Sequence, residues 1–392
     1  MGSRFKIRKV TLYHAVLFFI MTLPAFQMLG FDMKFMGSGT PSYIIILSLI
    51  SFVLSLFLYA AKKLYRRQDI PIILYTLVFF LISMYFYLHH GNVSFSAMLA
   101  YVSVFYTVII FARMDGYLVL DYIYCFFSIY WIMEFLARIT PIKNSFTSVT
   151  YTFIGHIQIY SMMWVTYVAV SLLRSHVSEK RISKIWQILF LVLASVLTWM
   201  SGTSISKVSI IAMVALLIFF KDKRNNTNKI LLIVFIAVAV LNLAIVFMNY
   251  QDRFANVISL FGEDTSLNGR TYIWSLFIPA IAKSPMIGNG YKALGVDLSL
   301  WGAGRTGMDY CHNTILQELT NGGIIQIIFF VLLNVFTIHR IKNIDNNKAR
   351  IFVFSAMVAM YIIMISESVT YFCYLNLLIA LICNLDLIKF NT

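Results

Sequence analysis

The sequence predicts an all-α polytopic membrane protein of about twelve transmembrane helices, with a large outer loop containing short helices. Three observations carry this. Of 392 residues, 60% are apolar and only 12% are charged, against about a quarter charged in an ordinary soluble protein. The apolar residues fall into runs near the roughly 20 residues that a helix needs to cross hydrocarbon. Lys and Arg cluster in every second connection between those runs, as topogenic charges do. The same composition excludes disorder, and four cysteines in the whole chain exclude a disulfide-stapled secreted domain.

The first run, 10–30, follows the basic residues Arg4, Lys6, Arg8 and Lys9. No small-residue cleavage site ends it, so it reads as an uncleaved signal-anchor. Further runs lie at 41–61, 70–89, 94–112, 116–137 and 153–173. The short pair 185–201 and 204–220, joined by Ser201-Gly202-Thr203-Ser204, reads as a tight hairpin or a partial re-entry. Runs at 230–249, 323–339, 351–371 and 372–388 complete a single integral membrane domain, 1–392. With the N-terminus in the cytoplasm, inside segments carry 22 of the 31 Lys and Arg and outside segments carry nine. That split puts both termini inside. The formal charge of +15 then marks topology and not a phosphate-binding stripe, so membrane lipids are expected as neighbours and nucleic acid is not.

The connection at 250–322 is out of proportion, and a loop of that length in a compact protein is usually functional. Within it, Asn268-Gly269-Arg270-Thr271-Tyr272-Ile273-Trp274 opens an apolar stretch to Ile281. That stretch is too short to span, so an interfacial or re-entrant helix is expected, with Arg270, Trp274, Phe277 and Ile281 on one face. Arg270 at such a helix N-terminus could meet an anionic headgroup or simply snorkel at the boundary. Ser284-Pro285-Met286-Ile287-Gly288-Asn289-Gly290-Tyr291 reads as a tight turn, because no strand–turn–helix unit surrounds its Gly-x-Gly. In Tyr310-Cys311-His312-Asn313-Thr314, Asn313 is a plausible N-cap for a short helix that Gly322-Gly323 would end. His312 would stand at that helix start as a functional or a structural interfacial group, and Cys311 as a packing residue.

Gly269-Arg270-x-x-x-Trp274, Ser284-Pro285-x-x-Gly288-x-Gly290 and His312-Asn313-x-x-Leu316, followed by Gly322-Gly323, resemble the O-antigen polymerase and ligase superfamily. These are glycosyltransferases of the bacterial inner membrane with the GT-C plan. The motifs cover 269–323, and the twelve-crossing plan extends the likeness along the chain. Many members carry a Ser-Arg pair in an earlier crossing; here Ser204-Ile205-Ser206-Lys207 stands nearest, with Lys207 where that Arg would be.

The resemblance implies sugar transfer at the periplasmic face, without a nucleotide-sugar donor, a metal or another cofactor. The expected donor and acceptor are undecaprenyl-pyrophosphate-linked oligosaccharides, and a chain-length regulator (a polysaccharide co-polymerase) is a possible further partner. Pyrophosphate leaves readily, so such catalysis needs cations where charge develops and a base for the acceptor hydroxyl. Arg270 suits the first task through its bidentate fork, and His312 the second, since histidine titrates near operating pH. Lys207 and Arg305 are further candidates for the pyrophosphate, and Asn313, Trp274 and Tyr291 for substrate contacts. Polymerase is the favoured activity. Ligase, which would deliver the glycan to a lipid A–core acceptor, is the alternative within the family. A flippase or transporter is the alternative from another class, resting on Asp121 and Glu134 inside the fifth run.

Overall fold

The computed structural model describes residues 9–26, 42–91, 93–139, 157–177, 184–201, 203–220, 227–248, 253, 269–296 and 309–390. Among them all regular structure is helical, apart from isolated bridge residues such as the pair Val177 and Phe390. The helices are α1 (Lys9–Thr22), α2 (Ser42–Ala61), α3 (Ile70–His90), α4 (Phe95–Asp115), α5 (Leu118–Ile139), α6 (Ile159–Ser175) and α7 (Lys184–Met200). They continue with α8 (Ser204–Phe219), α9 (Thr227–Asn242), α10 (Arg270–Lys283), α11 (Thr314–Lys342), α12 (Asn347–Ile363) and α13 (Tyr374–Ile382). All but α10 fall on the twelve apolar runs. Among the described residues six segments are long and apolar enough to cross a membrane: α2, α3, α4, α5, α9 with its extension to Phe247, and α11.

Local chemistry sets the ends. Thr203, Asn313 and Asn346 cap α8, α11 and α12 by accepting from the backbone N–H of Ser206, Leu316 and Ala349. Gly91 closes α3 in the left-handed conformation, just past His89 and His90. α7 ends at Met200 and α8 starts at Ser204, a spacing that suits the hairpin and the partial re-entry alike; Gly202 lies outside the described residues.

α4 is buried along nearly its whole length and packs against α1, α2, α5 and α13. A helix apolar all round belongs at the centre of a bundle. The outer helices turn apolar side chains outward, among them Ile46, Leu49, Val53 and Phe57 on α2 and Ile185, Ile188, Leu189 and Val192 on α7. Apolar surface on that scale is stable only in contact with lipid or another apolar partner.

The connections gather at two ends. At one, Arg113 holds Asp69 at 2.6 Å and Asn384 at 2.9 Å, and Arg340 and Arg66 both reach Asp386. This is the end carrying the basic clusters that the sequence assigns to the cytoplasm. At the other, residues of α1's end, the starts of α4 and α6, the 291–292 turn, Asp309 and 371–374 surround a cavity of about 270 Å³.

Gly322-Gly323 end the short helix as the sequence expects: at Gly323 (φ 63°, ψ −158°) the backbone leaves helical geometry, so α11 is a short helix and a crossing helix joined at a kink. One expectation is refined. The runs 351–371 and 372–388 are not contiguous spans, because α12 stops at Ile363 and residues 364–373 form turns before α13. In these turns Glu367 and Ser368 meet polar partners from α10 and from the start of α11. Asp121 and Glu134 are each paired with an arginine, Arg174 at 2.5 Å and Arg138 at 2.6 Å. Those pairs give both acids a structural role.

Candidate active site

The kink at Gly323 interrupts the helical ladder and opens backbone groups on either side. The turn at 285–290 takes up four of them. Asn289 and Gly290 donate to the carbonyls of Thr320 and Asn321 at 2.8 and 3.0 Å, while Ile324 and Ile325 donate to those of Pro285 and Met286 at 2.8 and 3.1 Å. Backbone lies on backbone here. A Cβ on Gly288 (φ +63°) would stand 2.7 Å from Gly322 N and Thr320 O, and one on Gly323 would stand 2.4 Å from Met286 O. The two glycine motifs are therefore halves of one clasp. The clasp fixes the first turns of α11, which carry Asn313 and follow directly on His312.

α10 seats the cation. Its buried face is Ile273, Trp274, Phe277 and Ile281, and Trp274 Nε1 donates to the Cys311 carbonyl at 3.0 Å. That bond ties α10 to the strand of chain leading into α11. Gly269, in the left-handed region, starts the helix, so Arg270 stands in its first turn as the sequence expects.

Arg270 and His312 converge on a residue that sequence reasoning missed. Arg270 Nη2 donates to Glu367 Oε1 at 2.9 Å, Tyr310 OH donates to Glu367 Oε2 at 2.7 Å, and His312 Nδ1 lies 3.3 Å from the same oxygen. Glu367 is fully buried. Burial alone would push its carboxyl up, but Arg270, His312 and Tyr310 together outweigh burial and hold it below the usual carboxylate range. The carboxylate is thus ionised between a guanidinium and an imidazole. Burial and the neighbouring Glu367 raise the Tyr310 phenol well above its ordinary value, which keeps it a donor.

The turn bearing Glu367 is stitched to the start of α11. Asn313 N donates to Ser368 Oγ and Thr314 Oγ1 to the Glu367 carbonyl, while Val369 N donates to Thr314 Oγ1. Asn313 Nδ2 reaches the Ile365 carbonyl at 2.9 Å and also Asn242 Oδ1 on α9. Below that contact α9 passes into a π-helical turn, Leu243–Phe247, a form that often marks functional sites. His312 itself has φ 51°, a conformation costly for a side chain with a Cβ and held only where surroundings over-determine it.

The remaining candidates occupy distinct places. Asn313 and Trp274 are buried and occupied with protein partners, so they position the site. Tyr291 is buried, with its hydroxyl on the Tyr371 carbonyl at 3.0 Å. Lys207 lies in the first turn of α8, its Nζ 6.0 Å from the Trp199 ring centroid. Arg305 falls outside the described residues. Cys311 is buried, as a packing residue would be, with its sulfur 3.5 Å from Thr320 Oγ1. Beside the Arg–Glu–His cluster, Tyr371 OH donates to both oxygens of Asp309 at 3.0 Å, and Lys292 Nζ sits 3.8 Å above the Tyr371 ring.

Fold and site together define a polytopic membrane protein with a cation, a carboxylate and an imidazole converging at one end of a helical bundle. Comparison with known proteins makes this more specific. Residues 188–331 match the family described as O-Antigen ligase, a stretch running from α7 into α11 and including both Arg270 and His312. Over 113 residues the chain is 33% identical to the exopolysaccharide production protein ExoQ of Rhizobium meliloti (strain 1021), covering 26% of each chain. The chain thus spans about a quarter of the length of the curated relative it matches. In its motifs and in this matched stretch, the protein resembles the O-antigen polymerase and ligase superfamily.

Proposed function

We propose that this protein is a polysaccharide polymerase of the inner membrane. It would transfer a glycan from undecaprenyl pyrophosphate to a sugar hydroxyl of another lipid-linked repeat unit, at the periplasmic face. The convergence of Arg270 and His312 on buried Glu367 carries the reading. With Nδ1–H directed at Glu367, the imidazole presents Nε2 to the acceptor hydroxyl, and the carboxylate stabilises the imidazolium that forms. The hydroxyl proton passes to Nε2 as the acceptor oxygen bonds to the anomeric carbon. The bond from that carbon to the phosphate oxygen breaks, and its electron pair leaves with the pyrophosphate. A guanidinium has five N–H donors, so Arg270 can serve Glu367 and the leaving group together. No step requires a metal.

The name of the ExoQ relative, a protein of exopolysaccharide production, favours polymer formation. The description of the matched family, O-Antigen ligase, favours the second reading, transfer to a lipid A–core acceptor. Surface glycan from a deletion strain separates them on a gel: loss of a polymerase leaves core bearing one repeat unit, whereas loss of a ligase leaves bare core. Purified protein should lengthen a polyprenyl-pyrophosphate-linked repeat unit without nucleotide or divalent metal. Reversible loss of activity in EDTA would overturn the metal-free chemistry. His312→Ala should lower turnover by about 10²–10⁴ while leaving donor binding intact.

A further inference from the structure

The cavity at the same end of the bundle has no part in the chemistry above, yet its lining is built for a ligand. Its walls are aromatic (Phe26, Tyr291, Tyr371, Phe372 and Tyr374), and four polar side chains enter it: Ser94, Ser96, Lys292 and Asp309. Lys292 has φ 54°. Among the described residues three non-glycine positions have positive φ, namely Lys63, Lys292 and His312. Lys63 follows the end of α2, where such a conformation is ordinary. The other two lie at the cavity and at the proposed catalytic centre, which is where backbone strain tends to be kept.

The polar groups are held in place. Tyr371 OH fixes both oxygens of Asp309, and Tyr291 OH fixes the Tyr371 carbonyl. Lys292 Nζ rests over the rings of Tyr371 and Tyr291, 3.8 and 5.4 Å from their centroids. Burial pushes the Lys292 amine down and the Asp309 carboxyl up, and each charge partly offsets the shift of the other. A cavity with one cation and one anion has no net call for a charged ligand. Instead it offers donors, acceptors and aromatic faces at once, and that combination matches a sugar ring, with hydroxyls at its rim and C–H groups on its faces. The volume of about 270 Å³ lies just below the roughly 300–1,000 Å³ of drug-sized pockets, a size for a single ring. The cavity also adjoins the reaction centre. The Tyr310 ring, whose hydroxyl bonds to Glu367, meets the Tyr371 ring at 4.9 Å and the His312 ring at 4.4 Å.

We propose that this cavity is a carbohydrate subsite that holds one uncharged sugar residue of the acceptor glycan, with Lys292 and Asp309 hydrogen-bonding its hydroxyls and the aromatic wall packing on its face. The assignment to the acceptor rests on the polymerase reading, in which His312 activates the acceptor, and on the Tyr310 ring that links His312 to the cavity wall at Tyr371. Binding of a sugar does not rest on it.

The test is saturation-transfer NMR on the full chain in lipid nanodiscs, avoiding sugar-headed detergents. The probes are the methyl glycosides of glucose, galactose, mannose and rhamnose, with methyl glucuronate as the charged comparison. At least one neutral glycoside should give saturable transfer, with methyl glucuronate weaker. Asp309→Asn and Lys292→Met, which nearly preserve side-chain size, should each weaken binding tenfold or more, while Lys62→Ala, exposed at the opposite end, should leave it unchanged. Dodecyl maltoside added to the nanodiscs should compete. Absence of saturable transfer from every neutral glycoside to the wild-type protein would overturn the subsite whatever the variants do, as would transfer that survives both substitutions. Sugar binding by a protein that cannot extend any polyprenyl-linked glycan would sink the polymerase reading and leave the subsite standing. Extension without sugar binding would do the reverse.

Discussion

Glu367→Gln keeps the shape of the side chain and removes its charge, and it separates two contributions of the same carboxylate. At 2.9 Å and an effective dielectric constant near 20, the attraction between Arg270 and Glu367 is about 6 kcal/mol. Desolvation of a fully buried carboxylate offsets much of that, and removing one partner of such a pair typically costs about 3–5 kcal/mol. The amide can still accept from one donor, so a loss of about 3 kcal/mol is expected, read as a lower unfolding temperature in detergent. Turnover should suffer more than folding. The imidazolium loses its counter-charge, and an amide N–H facing His312 Nδ1 selects the tautomer whose Nε2 cannot accept a proton. General-base losses of this kind are about 10²–10⁴. The assay is extension of a lipid-linked repeat unit by purified wild type and variant, at matched folded protein. A folded Glu367→Gln enzyme with turnover within a factor of about three of wild type would refute the coupling of Glu367 to the base.

Three further outcomes are expected. Because the Glu367 carboxyl is held low in the folded state, its contribution is complete above the unfolded carboxylate pKa of about 4.3 and is lost as pH falls through the folded value; unfolding temperature should drop steeply on acidification in wild type and more shallowly in Glu367→Gln. Gly288→Ala places a Cβ 2.7 Å from two backbone atoms at φ +63°, so it should destabilise by about 1–3 kcal/mol in thermal unfolding, with turnover reduced through the displaced start of α11. In a background free of native cysteine, a membrane-impermeant thiol reagent should label Lys283→Cys on intact cells and reach Lys62→Cys only after lysis, both positions being exposed; the opposite pattern would invert the orientation.

The helices were legible because hydrocarbon demands long apolar runs and the chain supplies them. The spacing of Arg270, Trp274, Phe277 and Ile281 also foretold which face of α10 is buried. Arg270 and His312 stood out through the motifs around them. Glu367 did not, because it lies in what scans as a continuous apolar segment; hydropathy averages away one acid among Tyr361, Ile362, Ile363 and Tyr371. A signal was present nonetheless. An ionisable residue flanked by Ser366 and Ser368 inside a membrane run is a functional candidate by default. Asp121 and Glu134 met the same criterion and are paired structurally, so the criterion needs geometry to sort its hits. Asn242 was equally hidden, since a lone amide late in an apolar helix carries no mark of the π turn that follows it. The cavity could not be read at all: its lining comes from six separate stretches between Pro24 and Tyr374, and no local pattern links them.

The clasp between the 285–290 turn and the kinked start of α11 is made of main-chain atoms alone. Its information content therefore resides in torsion angles and not in side-chain identity. Pro285, Met286 and Asn289 contribute carbonyls or an amide that most amino acids would supply, whereas Gly288, Gly290 and Gly323 contribute the freedom to adopt positive φ. Two chains could share this joint in full while agreeing at a handful of letters. Identity scores weigh every column alike, so they would rank such chains as strangers. For a scaffold of this kind, kinship is better sought in where the glycines fall relative to the arginine and the histidine they set in place.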